Sequence, residues 1–360
     1  MIRRVFFTLM LACSFIVSSV ASADNKVSPE AAQKLQLAQD ALKAKEPEKA
    51  IEPLEYLTQS TEIAKADKLQ LFPLLIDACL QTKAYDKLVN AARSYLQLDD
   101  SKLLVRLQLG QALSIMGRDS EVVATLQDQM QRKTSSHIDP TETEIRLLAR
   151  SQNRLKNEAG YVDALKLLVT YYPKPTYWAD LIGRVQHQYA SDKRLTYGFY
   201  RLQLATNSLT DVDDIKEAAQ IAISLGLPSD ALQLLSAPLP ENTPANMIAD
   251  IAKIREQANA LVLADDKVYA ELKAIKQKSS SDWQQLGDLF SGKKEWEQAR
   301  QAYIHVLSLG GSKRESEVQI HLGIAEYYAG DVQGAKETWK RMTATDGWFN
   351  LASLWGIFAK

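Results

Sequence analysis

The amino-acid sequence predicts an all-α protein built from repeated, antiparallel helix pairs. The 360 residues include only 15 Gly and 11 Pro, whereas Ala, Leu, Gln, Lys and Glu, which favour helices, are plentiful. Apolar and small residues recur three to four positions apart, which is the spacing along one face of a helix. One such pattern returns after 36 residues near the C-terminus, and a chain of this length commonly forms several domains or grows by repeats.

Residues 1–23 have the three parts of a secretory signal peptide: a basic start, an apolar run (residues 5–20) and a small-x-small site that ends at Ala23. We expect cleavage after Ala23 and export of the mature chain. An uncleaved anchor is the alternative, although the run is shorter than the about 20 residues of a typical membrane span. Lipidation of Cys13 is disfavoured, because it would leave an apolar segment at the start of the mature chain.

Charge and cysteine content restrict the class of protein further. The formal net charge of −1 provides no field that would attract nucleic acid, and 46% apolar with 24% charged residues is typical of a folded, soluble chain. Removal of the signal peptide would leave Cys79 as the sole cysteine, so the mature chain could form no internal disulfide. Cys79 falls at an inward position of the helix pattern, where a thiol is usually inert.

The strongest repeat lies between residues 282 and 345. In each copy a Leu, a small residue and an aromatic follow at helical spacing, and an Ala precedes an aromatic by four positions on the next helix. The first copy is formed by Trp283, Leu286, Gly287, Phe290, Ala299 and Tyr303. The second has Leu322, Gly323, Ala335 and Trp339 at the matching positions, with Glu326 in place of the Phe. We expect Ser281 or Asp282 to cap the first helix of the first copy.

This pattern resembles the tetratricopeptide repeat (TPR), whose signature W-x2-L-G-x2-Y followed by A-x3-F recurs over about 34 residues. The resemblance implies a right-handed α-solenoid of antiparallel helix pairs, and more divergent copies extend it over most of the mature chain. Three prolines in residues 236–244 predict a linker between an N-terminal array, 24–235, and a C-terminal array, 245–360. The apolar segment that ends the second array would be a capping helix, because solenoids need their last repeat covered.

Motifs for catalysis or metal binding are not found in the sequence. No phosphate-binding loop, dinucleotide fingerprint or nucleophile elbow is present. The four histidines, His137, His187, His305 and His321, form no H-x3-H pair, and a zinc site generally takes three or four protein ligands. We therefore predict a non-catalytic protein without a metal or cofactor.

The resemblance also implies where a partner would bind, because TPR proteins form their inner groove from the first helix of each repeat. In the register of this sequence the groove candidates are Gln39, Asp77, Gln111, Asp288, His321, Ile324, Tyr327 and Tyr328. A row of arginines, at positions 146, 150 and 154, has two interpretations. It is either a docking stripe for an acidic peptide or a solvated face whose charges pair with Glu142 and Glu144.

The predicted function is that of a periplasmic scaffold that joins proteins of a cell-envelope complex. The chain resembles secreted TPR proteins of Gram-negative bacteria, and this analogy extends to accessory proteins of TonB-type and export systems. One alternative is a cell-wall glycan-binding protein that uses an aromatic cluster, Tyr171, Tyr172, Tyr177 and Trp178, together with the aromatics near Trp348. The other interpretation of this cluster is core packing around a rigid turn. Another alternative is a homo-oligomeric scaffold that self-associates through the apolar C-terminal helix.

Overall fold

The computed structural model describes residues 28–310, 313–343 and 347–360, and in these ranges it contains 18 α-helices and no strand. The first eight helices are α1 (Pro29–Lys43), α2 (Pro47–Gln59), α3 (Lys65–Gln81), α4 (Tyr85–Leu98), α5 (Leu103–Ile115), α6 (Asp119–Ser135), α7 (Glu142–Arg154) and α8 (Glu158–Tyr171). The next five are α9 (Pro175–His187), α10 (Lys193–Ala205), α11 (Val212–Ser224), α12 (Pro228–Leu234) and α13 (Ala245–Ala274). The last five are α14 (Ser280–Gly292), α15 (Trp296–Leu309), α16 (Glu315–Tyr328), α17 (Val332–Lys340) and α18 (Gly347–Phe358).

Most consecutive helices pack against each other, and the predicted all-α, TPR-like fold class is confirmed. None of the described helices combines the length and the apolar character that crossing a bilayer requires. The predicted signal peptide and its cleavage site at Ala23 lie outside the described residues.

The turns inside the helix pairs share one backbone conformation. A residue with positive φ follows the first helix, and the next backbone N–H donates to a carbonyl five residues earlier, as from Glu46 to Ala41 and from Asp331 to Glu326. This is the hydrogen bond of a Schellman-type C-cap, which satisfies a carbonyl that the ending helix leaves free. The positive-φ residue is Lys45, Lys83, Gly117, Lys156, Gly226, Lys294 or Gly330 in seven of the pairs.

The chain divides by compactness into two units, one that ends at Ala164 and one formed by Leu165–Lys360, with the boundary inside α8. The proline-rich segment 236–244 lies within the second unit. There Ala237 shares a core with Ala218 of α11 and with Ile251 and Ile254 of α13. The functional division of the chain into arrays 24–235 and 245–360 stays a prediction.

In the first unit, small residues of first helices face large residues of second helices. Gly110 of α5 is an example, because a Cβ placed there would lie 3.5 Å from both Leu126 of α6 and Leu147 of α7. Leu54, Leu88 and Leu126 of the second helices are fully buried, and each such side chain contributes about 1.5–3 kcal/mol of burial free energy.

The same relation is tighter in the second unit, where the repeat signature is clearest. A Cβ at Gly287 would lie 2.5 Å from the Tyr303 ring, and one at Gly323 would lie 2.2 Å from Nε1 of Trp339. The signature glycines therefore bring the first helix of each pair against the aromatic ring of the second.

The C-terminal helix α18 is packed inside the second unit. Trp355 stacks on Trp339 of α17 with ring centroids 5.8 Å apart. On its other side, Leu351 approaches Gly198 of α10, and Asn350 donates a 2.7 Å hydrogen bond to the Tyr189 hydroxyl. Helix α18 thus joins the last helix pair to the beginning of the unit.

Candidate functional site

Helices α1, α3 and α5 carry a polar groove candidate at one recurring position of the repeat register. Gln39, Asp77 and Gln111 each follow the small or apolar residue that packs on the second helix. Gln39 is buried, and its side-chain Nε2 has no acceptor in the part of the chain that the structure describes. Asp77 is half-buried and accepts a hydrogen bond from Gln81 at 2.6 Å, while Gln111 is half-buried.

Exposed apolar side chains lie on the same helix faces. Leu80 is 40% exposed and lies three residues after Asp77, while Leu104 and Ile115 are 67% and 60% exposed and lie seven residues before and four after Gln111. These spacings place them on the face that carries the polar positions. We call the set of residues 77, 80, 104, 111, 115, 146 and 150 the first-helix surface.

The arginines of α7 differ in their contacts. Arg154 donates to the backbone oxygen of Ser114 at 3.1 Å, which places the end of α7 beside the end of α5. Arg146 and Arg150 are exposed, and neither forms an ion pair within the described ranges of the chain. Glu144 is not available to them, because it is buried and pairs with Lys133 at 2.7 Å. Arg146 and Arg150 therefore present two cations to solvent on α7, a first helix that contacts α5.

Two groove candidates of the second unit, Asp288 and His321, form a largely buried hydrogen-bond network with Tyr303. Tyr303 donates its hydroxyl to Asp288 at 2.8 Å, and Nδ1 of His321 lies 3.3 Å from the same carboxylate oxygen. Tyr303 and His321 are buried. Burial, reinforced by the Asp288 charge, raises the pKa of Tyr303 well above its ordinary value, so the phenol stays a donor.

A second network surrounds Asp230 of α12. The Tyr197 hydroxyl donates to the Asp230 carboxylate, Nε of Arg201 lies 3.8 Å from it, and Nη2 of Arg201 lies 3.3 Å from the Ser291 hydroxyl. Burial opposes the charge of Arg201, but Tyr197 and Asp230 outweigh it and raise the pKa of the guanidinium. Arg201 therefore stays positively charged, and Asp230 and Ser291 fix its position.

Two cavities adjoin these networks. The larger, about 400 Å³, is lined by Arg201, Leu204, Ala205, Asp230, Gln233, Leu234, Lys294, Trp296, Ile324, Tyr328 and Trp355. The smaller, about 210 Å³, has a more acidic lining that includes Asp230, Asp265 and Asp288. The larger one falls within the roughly 300–1,000 Å³ of small-molecule sites.

Comparisons with known proteins concern the fold alone. No protein-family model matches the chain, and no curated protein matches it either. Among solved structures it is similar to a tetratricopeptide repeat protein from Parabacteroides merdae ATCC 43184, with 10% identity, a TM-score of 0.36, and 83% of this chain and 99% of that chain covered. It is also similar to the C-terminal part of a TPR repeat-containing protein from Cytophaga hutchinsonii, with 12% identity, a TM-score of 0.32, and coverage of 79% and 98%. A third similar structure is that of PilW, a widely conserved type IV pilus biogenesis factor. The identity is 16% and the TM-score 0.29, and the match covers 58% of this chain and 92% of that chain.

The groove candidates of the second unit do not form one surface: some line cavities and others are buried against protein. Ile324 and Tyr328 line the larger cavity and Asp288 lines the smaller one. His321 and Ile324 are 4% and 1% exposed, so their side chains contact protein. Tyr327 lies against Phe358 of α18, with ring centroids 5.4 Å apart.

Nine of the eleven residues named as lining the larger cavity were not candidates from the sequence, among them Arg201, Lys294, Trp296 and Trp355. Arg201 and Trp355 belong to helices without a clear repeat signature, so no local pattern marks them. Lys294 and Trp296 lie at a turn and a helix start, where the signature has no fixed residue. The one signal in the sequence that could have indicated Lys294 was its position, because it directly follows the first helix of the best-defined repeat.

The other residues considered for metal binding, thiol reactivity or sugar binding make packing contacts where the structure describes them. In the described ranges no three His, Cys, Asp or Glu side chains are grouped to hold a metal ion. His305 stacks on Trp283 at 4.3 Å between ring centroids. Cys79 is buried, and that burial, with a contribution from Glu55, raises the pKa of its thiol to about 11. Trp178 is 2% exposed and packs edge-on against Phe358, which favours the core interpretation for this member of the aromatic cluster.

Proposed function

We propose that this chain is a non-catalytic interaction scaffold that binds segments of partner proteins on its first-helix surface. The observation that carries the proposal is that first helices expose both apolar side chains, Leu80, Leu104 and Ile115, and two arginines, Arg146 and Arg150, for which the described ranges contain no ion-pair partner. Apolar side chains surrounded by polar ones mark interaction sites on helical arrays. Two exposed guanidinium groups fit a partner segment that carries carboxylates as well as apolar residues.

The sequence supports a location for this scaffold. A signal peptide at residues 1–23 would export the chain, and export from a Gram-negative cell would deliver it to the periplasm. There it would join two or more cell-envelope proteins, as an accessory to a TonB-type or export system. The choice of these two systems rests on analogy with other secreted TPR proteins.

The self-association alternative receives less support from the fold. Leu351, Leu354 and Trp355 of α18 are buried within their own unit, so the apolar side of this helix is already covered. The glycan-binding alternative is weakened because Trp178, one of its proposed sugar-binding rings, is buried in the core. We therefore place the partner site on the first unit.

Site-specific photo-cross-linking in cells tests the proposal. A photoreactive phenylalanine at position 111 should attach a reproducible set of cell-envelope proteins. The matched control carries the same group at Ser94, an exposed position of the second helix α4, and should not attach them. An identical set from both positions, or self-linked chain alone, would contradict the proposal.

Charge removal tests the partner chemistry. Replacing Arg146 and Arg150 together with Gln should weaken binding of the captured partner about 3- to 10-fold, because each exposed ion pair contributes about 0.2–1 kcal/mol. The free energy of unfolding should change by less than about 0.5 kcal/mol, since both side chains are at the surface. The control removes Lys49 and Lys87 from the second helices α2 and α4. Equal binding by both double variants in a titration would refute the arginine site.

A further inference from the structure

We propose that the larger cavity of the second unit, the one of about 400 Å³, is a binding site for a small organic anion with an aromatic body. The site is separate from the first-helix surface and is built entirely by residues of α10, α12, α15, α16, α18 and the turn before α15. It therefore goes beyond the scaffold function proposed above and stands or falls independently of it.

The charges in the lining favour an anion. Arg201 is held in place by Ser291 and lies 3.8 Å from Asp230, with its side chain 13% exposed. Lys294 contributes a second cation at the exposed rim. Asp230 is the sole carboxylate among the lining residues, and it already accepts from Tyr197 and faces Arg201. Two cations against one engaged carboxylate leave a net positive charge in the lining for an anionic ligand.

The walls favour an aromatic body. Trp296 and Tyr328 stack on each other, with centroids 4.8 Å apart and planes at 23°, and together they provide an aromatic surface. Leu204, Leu234 and Ile324 complete an apolar lining. Aromatic and apolar walls with a few placed polar groups are the usual composition of a small-molecule site.

Trp355 provides an independent observation that points to a ligand. The residue is 1% exposed and lines the cavity, yet its indole Nε1 has no hydrogen-bond acceptor among the described residues. Its stacking partner Trp339 differs, because its indole N–H donates to the backbone oxygen of Ile320. Buried indole N–H groups usually find an acceptor, and an anionic oxygen in the cavity would provide one.

A matched pair of ligands tests the proposal. Phenylacetate and phenylacetamide share the aromatic body and differ in the charge of the polar end. The full chain, with ¹⁵N-labelled tryptophan, is titrated with each probe while the indole N–H signals are recorded by NMR. The Trp355 signal is identified by its loss in Trp355→Phe. We expect phenylacetate to shift the Trp355 signal saturably, with a Kd at or below about 10 mM for a ligand of this size. Phenylacetamide should bind at least about 10-fold more weakly, because it lacks the charge-assisted hydrogen bonds.

Two neighbouring lysines provide matched protein variants. Lys294→Gln should weaken phenylacetate binding about 3- to 10-fold, since it removes a cation at the rim. Lys293→Gln is the control, because Lys293 pairs with Asp266 at 2.7 Å and is not part of the lining; it should change the Kd less than about 2-fold. Absence of a saturable shift at Trp355, equal affinity for the acid and the amide, or equal effects of the two lysine variants would each overturn the proposal.

Discussion

Replacing Glu144 with alanine is expected to lower the free energy of unfolding by about 3–5 kcal/mol, because it strands a buried cation. The Lys133 ammonium lies 2.7 Å from the Glu144 carboxylate, and the two side chains are 6% and 3% exposed. Glu144 also accepts from the Gln129 amide and from the backbone N–H of Thr141, the latter at 2.6 Å. Chemical denaturation of the variant and of the wild-type chain measures the difference.

A double variant separates the cost of a stranded charge from the value of the pair. Lys133→Met with Glu144→Leu removes both charges, and apolar replacements of a buried ion pair are often neutral or stabilising. We expect the double variant to be more stable than Glu144→Ala by at least about 2 kcal/mol. If the two variants were equally unstable, the loss would come from packing or from the helix cap rather than from the ion pair.

The same pair gives the stability a defined pH dependence. Burial alone would raise the pKa of Glu144, but the hydrogen bonds from Lys133 and Thr141 outweigh it and hold the pKa below its ordinary value of 4.5. A group whose pKa is lower in the folded state stabilises fully above its unfolded pKa, and this stabilisation is lost as the pH falls through the folded pKa. Between neutral pH and about pH 3 the wild-type chain should therefore lose more stability than Glu144→Gln, by the same denaturation measurement.

The sequence was most informative where packing is local and periodic. The Gly287–Tyr303 and Gly323–Trp339 contacts each join residues 16 positions apart, within one helix pair. Such contacts recur at the repeat period, so the pattern could be recognised without any knowledge of the rest of the chain. Cys79 was placed at a buried position by the same register.

The helix cap before Trp283 shows where local reasoning fell short. Ser281 or Asp282 was expected to be the N-cap, and this was wrong: the helix begins at Ser280 and Ser279 is the cap. The Ser279 hydroxyl accepts from the backbone N–H of Asp282, while the Asp282 carboxylate accepts from the backbone N–H of Ser279. This reciprocal arrangement is a capping box, and it uses Asp282 as the third helical residue rather than as the cap.

The larger cavity was beyond the reach of a single sequence. Arg201 and Trp355 are more than 150 residues apart, and they come together because α10 packs against α18 and both lie near α16. Helices α9 and α10 carry no repeat signature, so their register against the last repeats could not be inferred. Of the eight groove candidates, Ile324 and Tyr328 reach this cavity because they belong to the repeat in which the register was clear.

Replacing Trp339 with alanine should lower the free energy of unfolding by about 3–5 kcal/mol, the usual cost of truncating a buried aromatic side chain. Trp339 is 2% exposed, packs against Gly323, and stacks on Trp355. Loss of the ring would therefore weaken both the last helix pair and the contact with α18. A calorimetric unfolding transition near that of the wild-type chain would show that α18 does not depend on this ring.

The glycine opposite Trp339 makes the same contact testable from the other side. Gly323→Ala should cost about 1–3 kcal/mol, because its Cβ would lie 2.2 Å from the Trp339 indole nitrogen and the ring must shift. Gly183→Ala is the control, since Gly183 is an exposed position of α9 with nothing within 4 Å of an added Cβ. It should gain about 0.5–1 kcal/mol from helix propensity. In the Trp339→Ala background the Gly323→Ala penalty should disappear, because the methyl group enters the vacated volume. Additive effects of the two substitutions would mean that the glycine is required for backbone reasons and not by the ring.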